Sequence, residues 1–270
     1  FRDYFVAGGR MTTPLLVCSL VSTYYGLDVL LGGSEVGYQE GVVSWFWYAR
    51  PYYIGLLLTA FLLVGKLRSR DFLSLPDVAD AAYGKGTRAV VAVASFFYSL
   101  PLFALMGTGV LLDVVMGLPF VWGVLIGAVI SLAYTLMGGL MADAFTDTVQ
   151  FTLMCVTLGV AAVLALDRVG GVDALPALLP PSYFDPQGPY PIPVVLVFAT
   201  GALAGFVEPG IYQRIFAARS KRAIIAALAI GLVLWSSYDW ITALLGMAAK
   251  AAGLEVEPRY ALLTLVVDTL

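Results

Sequence analysis

Histidine is absent from the 270 residues of this chain. That removes imidazole metal ligation, Ser-His nucleophilic catalysis and histidine proton relays from consideration. Charge is scarce: Asp, Glu, Lys and Arg make up 12% of the residues, about half of the ~25% that a soluble domain carries. Cysteine is nearly missing. Cys18 and Cys155 both lie in apolar runs, where they read as small buried hydrophobes rather than as a disulfide or a metal pair. No signal peptide is visible. The chain opens on Phe1-Arg2-Asp3-Tyr4 without an initiator Met and stops at Thr269-Leu270 as another apolar segment approaches, so both ends read as cut from a longer protein. What is abundant is apolar surface, at 60% of residues, and this composition describes a polytopic membrane protein. The formal net charge of −3 carries little information, because most charges fall in loops.

Seven stretches are long enough to span a hydrocarbon core, which takes about 20 apolar residues. They run 13–36, 42–65, 88–112, 119–137, 145–166, 191–212 and 223–249. With residue 1 in the cytoplasm, 11 of the 15 Lys and Arg fall inside, three (Arg168, Lys250, Arg259) outside, and Arg50 within a span. That bias fixes the orientation. Residues 66–87 then form a cytoplasmic connection. In it, Ser74-Leu75-Pro76-Asp77 predicts a helix N-terminus with a cap, an early Pro and an acid at the third helical position, and Gly84 predicts its end. Residues 167–193, rich in Pro and Gly, predict a long outer loop. Gly123-Gly127 and Gly201-Gly205 have the spacing of close helix packing. The first pair reads that way, while the second reads equally as packing or as helix unwinding.

The first and sixth stretches are interrupted in matching places: Gly26, Gly32 and Gly33 in one, Gly201, Gly205 and Pro209-Gly210 in the other. A continuous helix satisfies every backbone group in lipid. Paired interruptions in two halves point to a secondary transporter whose binding site lies where the helices unwind.

Several motifs resemble one family, the sodium/solute symporters. Asp3-Tyr4-Phe5-Val6-Ala7-Gly8-Gly9-Arg10 is similar to its cytoplasmic motif after the first helix. Tyr134-Thr135-Leu136-Met137-Gly138-Gly139-Leu140-Met141-Ala142 resembles its Gly-Gly signature and continues into Thr146-Asp147-Thr148-Val149-Gln150. Gln213-Arg214 with Ala217-Ala218-Arg219-Ser220 resembles its turn after the sixth core helix. The resemblance covers essentially the whole chain and implies an all-α, LeuT-like fold of five plus five core helices in inverted repeats. This chain would supply core helices one to seven as a single, truncated transmembrane domain. The first repeat with its cytoplasmic lead-in would occupy 1–166, and the outer loop and start of the second repeat 167–270.

By the same resemblance, Na⁺ is the coupling ion, held partly by backbone carbonyls at Ser22 and Tyr25, with the remaining ligands on a helix beyond Leu270. From the residues alone, Ser22 and Thr23 read as helix packing or back-bonding. Asp147 falls on the route by which Na⁺ leaves, and it also suits a helix N-terminus. Tyr24, Gly26, Asp28, Val29, Gly201, Ala204, Gly205, Trp235 and Asp239 are candidates to line the solute site. Val29 and Ala204 stand where sugar-carrying relatives place a polar residue and a stacking Tyr, which counts against a sugar. Trp235 and Asp239 sit one turn apart and line the site or simply pack in the bundle.

Charge inside a span is costly. Arg50, Asp28 and Asp239 fall at similar depth, roughly 10–15 Å below the outer surface at ~1.5 Å per residue. Arg50 is therefore expected either to pair with Asp28 or Asp239 or to snorkel outward, since Trp45, Trp47 and Tyr48 already place this end at an interface. Glu208, before Pro209-Gly210, is a gating candidate, with an ion pair to Arg214 or Arg219 as its simpler role.

The leading function is Na⁺-coupled symport of a small organic solute across the plasma membrane. Arg50 favours a monocarboxylate or amino acid. The alternative is a transporter-like sensory module of a membrane-bound signalling protein. An enzyme fits worst, because no nucleophile or metal spacing is present. No cofactor and no nucleic acid partner is implied, and the oligomeric state is left open.

Overall fold

The computed structural model describes residues 2–68, 70 and 72–269. The side chains of Tyr134, Thr135, Met137 and Thr269 lie outside what is described, so the start of the Gly-Gly motif is known by its backbone alone. Among the described residues the regular structure is helical, apart from an isolated bridge between Met11 and Ala218.

The first stretch is a bent pair, α1 (Thr13–Tyr24) and α2 (Leu27–Glu40), meeting at 58°. The second is a π-helical segment, Ser44–Ala49, that runs into α3 (Arg50–Leu62). Pro51 has no N–H for the carbonyl four residues back, and the wider turn sits just before it. The predicted cytoplasmic helix is α4 (Leu75–Tyr83), with Ser74 N–H donating to Asp77 Oδ2 at 3.0 Å and Gly84 as its C-cap.

The third stretch is α5 (Lys85–Tyr98) and α6 (Leu102–Met116), separated at Ser99–Pro101, a break the sequence reading did not anticipate. The fourth and fifth stretches form one element, α7 (Phe120–Arg168), kinked at Gly139. There φ is +60°, a value that glycine reaches at no steric cost. The sixth stretch comprises α8 (Ile192–Ala199), a 3₁₀ turn at Thr200–Leu203, a short helical turn and α9 (Pro209–Ala217). The seventh is α10 (Lys221–Ala251), capped by the Ser220 hydroxyl accepting from Ala223 N–H at 3.1 Å, and α11 (Ala261–Thr269) follows.

Four of these helical runs are long and apolar enough to cross a membrane: Lys85–Met116, Gly138–Arg168, Ile192–Ala217 and Lys221–Ala251. The bent pair α1–α2 makes a fifth. The second stretch is divided between the π-helical segment and α3, and the Gly139 kink sets off the fourth as a shorter apolar helix, Phe120–Ala133.

The core gathers where α1, α9 and α10 meet, around Leu16, Leu20, Ile211, Ile215, Ile224 and Leu228, all fully buried. The outer faces of α5, α6 and α7 instead expose Phe96, Phe97, Phe103, Trp122 and Val129. A contiguous apolar surface of that kind belongs against lipid. Cys18 and Cys155 are free, and the Cys155 thiol lies 2.7 Å from the Tyr238 hydroxyl.

Three of the sequence motifs come together at one end of the bundle. Met11 N–H donates to Ala217 O at 3.0 Å, Arg219 N–H to Met11 O at 2.9 Å, and Gln213 Nε2 to Phe5 O at 2.8 Å. Tyr4 lies against Gly139, where a Cβ would crowd its ring. The segment before α1, the Gly-Gly kink and the turn after α9 therefore form one packed unit.

Candidate functional site

The first helix ends because Tyr25 leaves the helical region (φ −122°, ψ 62°) and Gly26 is extended (φ −80°, ψ −179°). Tyr25 N–H still bonds Val21 O at 2.9 Å, and the ladder resumes with Leu30 N–H to Gly26 O at 3.1 Å. Between them, among the described residues, no backbone N–H reaches the carbonyls of Ser22 or Tyr25. The two predicted ion-binding carbonyls are therefore without backbone partners, in a region where an unsatisfied group is costly. Gly32 and Gly33 were also read as interruptions. Both lie within α2, so the break is confined to Tyr25-Gly26.

Beside the break is a cavity of ≈ 320 Å³. α1 and α2 contribute Tyr24, Tyr25, Val29, Gly32, Gly33 and Val36. The π-helical segment and α3 contribute Ser44, Tyr48, Ala49, Tyr52 and Tyr53, and α10 contributes Trp235 and Asp239. Of the predicted solute-site residues, Tyr24, Val29, Trp235 and Asp239 are thus brought together. Tyr48, Tyr52 and Tyr53 were missed, although a tyrosine pair after Arg50-Pro51 was visible beside a span end. Trp235 meets the Tyr24 ring edge-on at 5.9 Å, and its buried indole N–H has no hydrogen-bond partner among the described residues. The Tyr25 hydroxyl lies beside the Asp239 carboxylate and donates to Thr242 Oγ1 at 3.1 Å.

Gly26, Asp28, Arg50, Gly201, Ala204 and Gly205 are not among the lining residues. The Asp28 carboxylate folds back over Gly26 in the first turn of α2, where the helix dipole favours an acid. Arg50 makes no ion pair with Asp28 or Asp239 among the described residues. It is exposed, and its guanidinium stacks over the rings of Trp45 and Phe46 at 4.1 and 4.3 Å. The expected pairing is corrected: two aromatic faces and solvent access hold the charge instead. Trp45 turns inward, its Nε1 donating to Ser236 O at 3.0 Å.

The sixth-helix interruption is built differently. Glu208 is extended (φ −71°, ψ 106°) between the short turn and α9, and Pro209 starts α9 with no N–H to lose. Its buried carboxylate accepts from Tyr24 at 3.3 Å and from Tyr98, at the α5 break, at 2.5 Å. No ion pair to Arg214 or Arg219 forms among the described residues, which corrects that expectation. Gly205 packs on the backbone of Gly55 and Leu56, and its carbonyl accepts from Thr59 Oγ1 at 2.7 Å. A Cβ at Gly55 would overlap the Ala202 carbonyl. Gly205 therefore serves packing within a helical turn, while Gly201 lies in the 3₁₀ turn, with nothing within 4 Å of a Cβ.

Arg214 is buried within α9 rather than in a loop. It donates to Ser19 Oγ at 3.1 Å and to the Thr23 hydroxyl, and it lies 3.9 Å from Asp147 Oδ2. Asp147 is buried, its Oδ2 has no hydrogen bond among the described residues, and its carbonyl accepts from Ser22 Oγ at 2.7 Å. The structure thus brings the predicted ion-site residue Ser22 against the predicted exit residue Asp147. Among the described residues no cluster of three or more Cys, Asp or Glu could hold a metal ion.

The segment 167–193 closes over the end of α2 and the π-helical segment. Tyr183 donates to Tyr38 O at 2.8 Å, Trp47 Nε1 to Pro186 O at 2.8 Å, and Tyr190 to the Glu40 carboxylate at 2.6 Å. Burial first, and then the bond to Glu40, pushes the Tyr190 phenol above its usual range, so it stays a donor.

A family model described as the sodium:solute symporter family matches residues 4–262. The chain is 24% identical over 179 residues to the sodium/glucose cotransporter of Vibrio parahaemolyticus, covering 64% of this chain and 32% of that protein. It is 28% identical over 177 residues to the high affinity choline transporter 1 of Homo sapiens, covering 62% and 30%. It is 25% identical over 246 residues to the sodium/proline symporter of Escherichia coli (strain K12), covering 86% and 49%. The chain therefore spans about a third to a half of these relatives. A solved Na⁺-coupled sialic acid symporter, in a substrate-bound outward-open state, superposes with a TM-score of 0.82 over 98% of this chain and 60% of that one at 16% identity, which establishes the fold. The family match takes in both helix interruptions and every wall of the cavity, and the chain belongs to the sodium:solute symporter family.

Proposed function

We propose that this chain forms the solute-binding part, and half of the ion site, of a Na⁺-coupled secondary active transporter of a small organic solute. The observation that carries this reading is the break at Tyr25-Gly26. It leaves the Ser22 and Tyr25 carbonyls without backbone partners among the described residues, and Tyr24 and Tyr25 at the break line a cavity of ≈ 320 Å³. Those carbonyls replace part of the water around a dehydrated Na⁺, and Asp147, bonded through its carbonyl to Ser22, lies on the ion's way out. Glu208 joins the sixth-helix break to α5 and α1 through two tyrosines, which is a contact that must part if those elements separate during gating. Coupling requires that Na⁺ favour one conformation over the other. The protein sits in the plasma membrane with residue 1 on the cytoplasmic side, the orientation the Lys and Arg distribution favours.

The carboxylate preference attached to Arg50 loses its support, because Arg50 is not at the cavity wall. An amino acid remains consistent with Asp239, which is. The test is uptake into proteoliposomes of the whole polypeptide under an inward Na⁺ gradient. Uptake that collapses when K⁺ replaces Na⁺ supports the reading, and equal uptake in the two salts rejects it.

A further inference from the structure

We propose that the transported solute carries an ammonium group, and that the cavity recognises it through the Asp239 carboxylate and the surrounding aromatic rings. This rests on the transport reading above and adds the class of solute to it. Asp239 is the single charged side chain among the residues lining the cavity. It stands on a membrane-spanning helix, where a carboxylate is costly unless something of opposite charge meets it. Among the described residues no Lys or Arg lies within 4.0 Å of it. The Tyr25 hydroxyl lies beside the carboxylate and also bonds Thr242 Oγ1 at 3.1 Å, and a neutral phenol does not balance the charge. The cationic partner is therefore supplied by what binds.

The rest of the wall suits the same group. Six aromatic residues (Tyr24, Tyr25, Tyr48, Tyr52, Tyr53 and Trp235) line the cavity. The negative faces of such rings attract a cation, most strongly where water is excluded. An anion would meet a carboxylate with no compensating cation, since Arg50 is held outside over Trp45 and Phe46. The unpaired Trp235 indole N–H is a donor, so it favours a second end on the solute that accepts a hydrogen bond, either a hydroxyl or a carboxylate. The ammonium head is the shared chemistry. A cationic amino alcohol and a zwitterionic amino acid are its two sources.

The experiment uses Na⁺-gradient uptake by proteoliposomes of the whole polypeptide, with choline, L-proline, lactate and glucose offered separately and then as broader pools of amines, zwitterions, acids and sugars. Na⁺-driven uptake confined to amines or zwitterions supports the inference, and the responding class tells which source is used. Asp239→Asn should then raise the solute KM by about thirtyfold or more, with its thermal midpoint in solute-free detergent unchanged or raised, since an uncompensated charge is removed. Tyr48 is half-exposed, so its variants should keep a thermal midpoint near that of the parent. Tyr48→Leu should raise KM roughly twofold to thirtyfold, and Tyr48→Phe, which keeps the ring face, should restore it. Na⁺-driven uptake of acids or sugars alone overturns the inference while leaving the transport reading intact. An Asp239→Asn variant that shifts Na⁺ half-saturation with the solute KM unchanged also overturns it, since the carboxylate would then serve the ion. No Na⁺-driven uptake of any pool brings down the transport reading and the inference together.

Discussion

The two helix interruptions occupy corresponding places in the sequence and have been finished in opposite ways. At Tyr25-Gly26 the chain turns by 58° and, among the described residues, leaves backbone carbonyls without backbone partners at a break whose Tyr25 lines the cavity. At Thr200–Glu208 the loosened backbone is taken up by the protein itself: Thr59 bonds the Gly205 carbonyl, Gly55 and Gly205 bring two backbones into contact, and Tyr24 and Tyr98 hold Glu208. None of Gly201, Ala204 or Gly205 lines the cavity. An unwound stretch in lipid must find partners for its polar groups. In one case, on the function proposed above, the partners are left to be supplied by ligands, and in the other they are side chains of neighbouring helices. Substitutions at the sixth-helix break should therefore act on stability, and substitutions around the first should act on binding.

The largest effect is expected at the helix contact of the sixth break. Gly55→Val places its Cβ into the Ala202 carbonyl, a backbone clash that no rotamer relieves. Folded protein should be lost on size-exclusion chromatography in detergent. Recovery of a monodisperse Gly55→Val protein would mean that the α3 contact is dispensable and that the sixth break is as open as the first. Next comes the buried cation that ties α9 to α1 and α7. Arg214→Met leaves Asp147 buried and without its nearby charge, which costs about 3–5 kcal/mol when one partner of a buried pair is removed. The thermal midpoint should fall markedly, and adding Asp147→Leu should return a large part of it. A single variant as stable as the parent would show that neither the Asp147 pair nor the bonds to Ser19 and Thr23 hold that region together.

Much of this was legible in advance because the signals are local. Ser74-Leu75-Pro76-Asp77 and Gly84 bounded α4 where the structure has it, since a capping box and a helix-ending glycine act over one turn. The interrupted first and sixth stretches were visible as glycines, but which glycine matters was not. Gly32 and Gly33 stay helical, and Gly26 adopts an extended conformation open to any residue, so the break is imposed by packing rather than by glycine's freedom. The α5–α6 break was announced by Pro101 and overlooked because the flanking runs are so apolar. The charges were least readable. Depth along a helix placed Arg50, Asp28 and Asp239 at one level, yet level says nothing about azimuth. Arg50 points to two aromatic rings, Asp28 to its own helix start, and only Asp239 to the cavity. The same limit hid Tyr52 and Tyr53, whose place at the wall depends on how α3 is rotated.

A smaller effect is expected from the hydrogen bonds that close the sixth break. Tyr98→Phe removes the 2.5 Å bond to Glu208 while keeping the ring, and a hydrogen bond to a charged group contributes about 1.5–3 kcal/mol. Tyr98 lies outside the cavity, so the thermal midpoint should fall while the solute KM stays where it was. A KM change without a stability change would reverse the comparison, making the sixth break the recognising element.

The smallest effect is expected at Arg50, and it probes the first break most sharply. Arg50→Gln removes a charge that is already exposed and stacked on Trp45 and Phe46, an arrangement that contributes about 0.5–1 kcal/mol at such a site. The midpoint should barely move, and solute KM and Na⁺ half-saturation should be unaltered in the uptake assay. The outcome discriminates because Arg50 is the nearest cation in sequence to a wall whose single charge is the Asp239 carboxylate. A large KM increase in Arg50→Gln would mean that Arg50 swings inward to meet an anionic solute once α3 moves. The free carbonyls at Tyr25-Gly26 would then lie beside a site selected by positive charge, and the cavity in its present shape would not be the one that chooses the cargo.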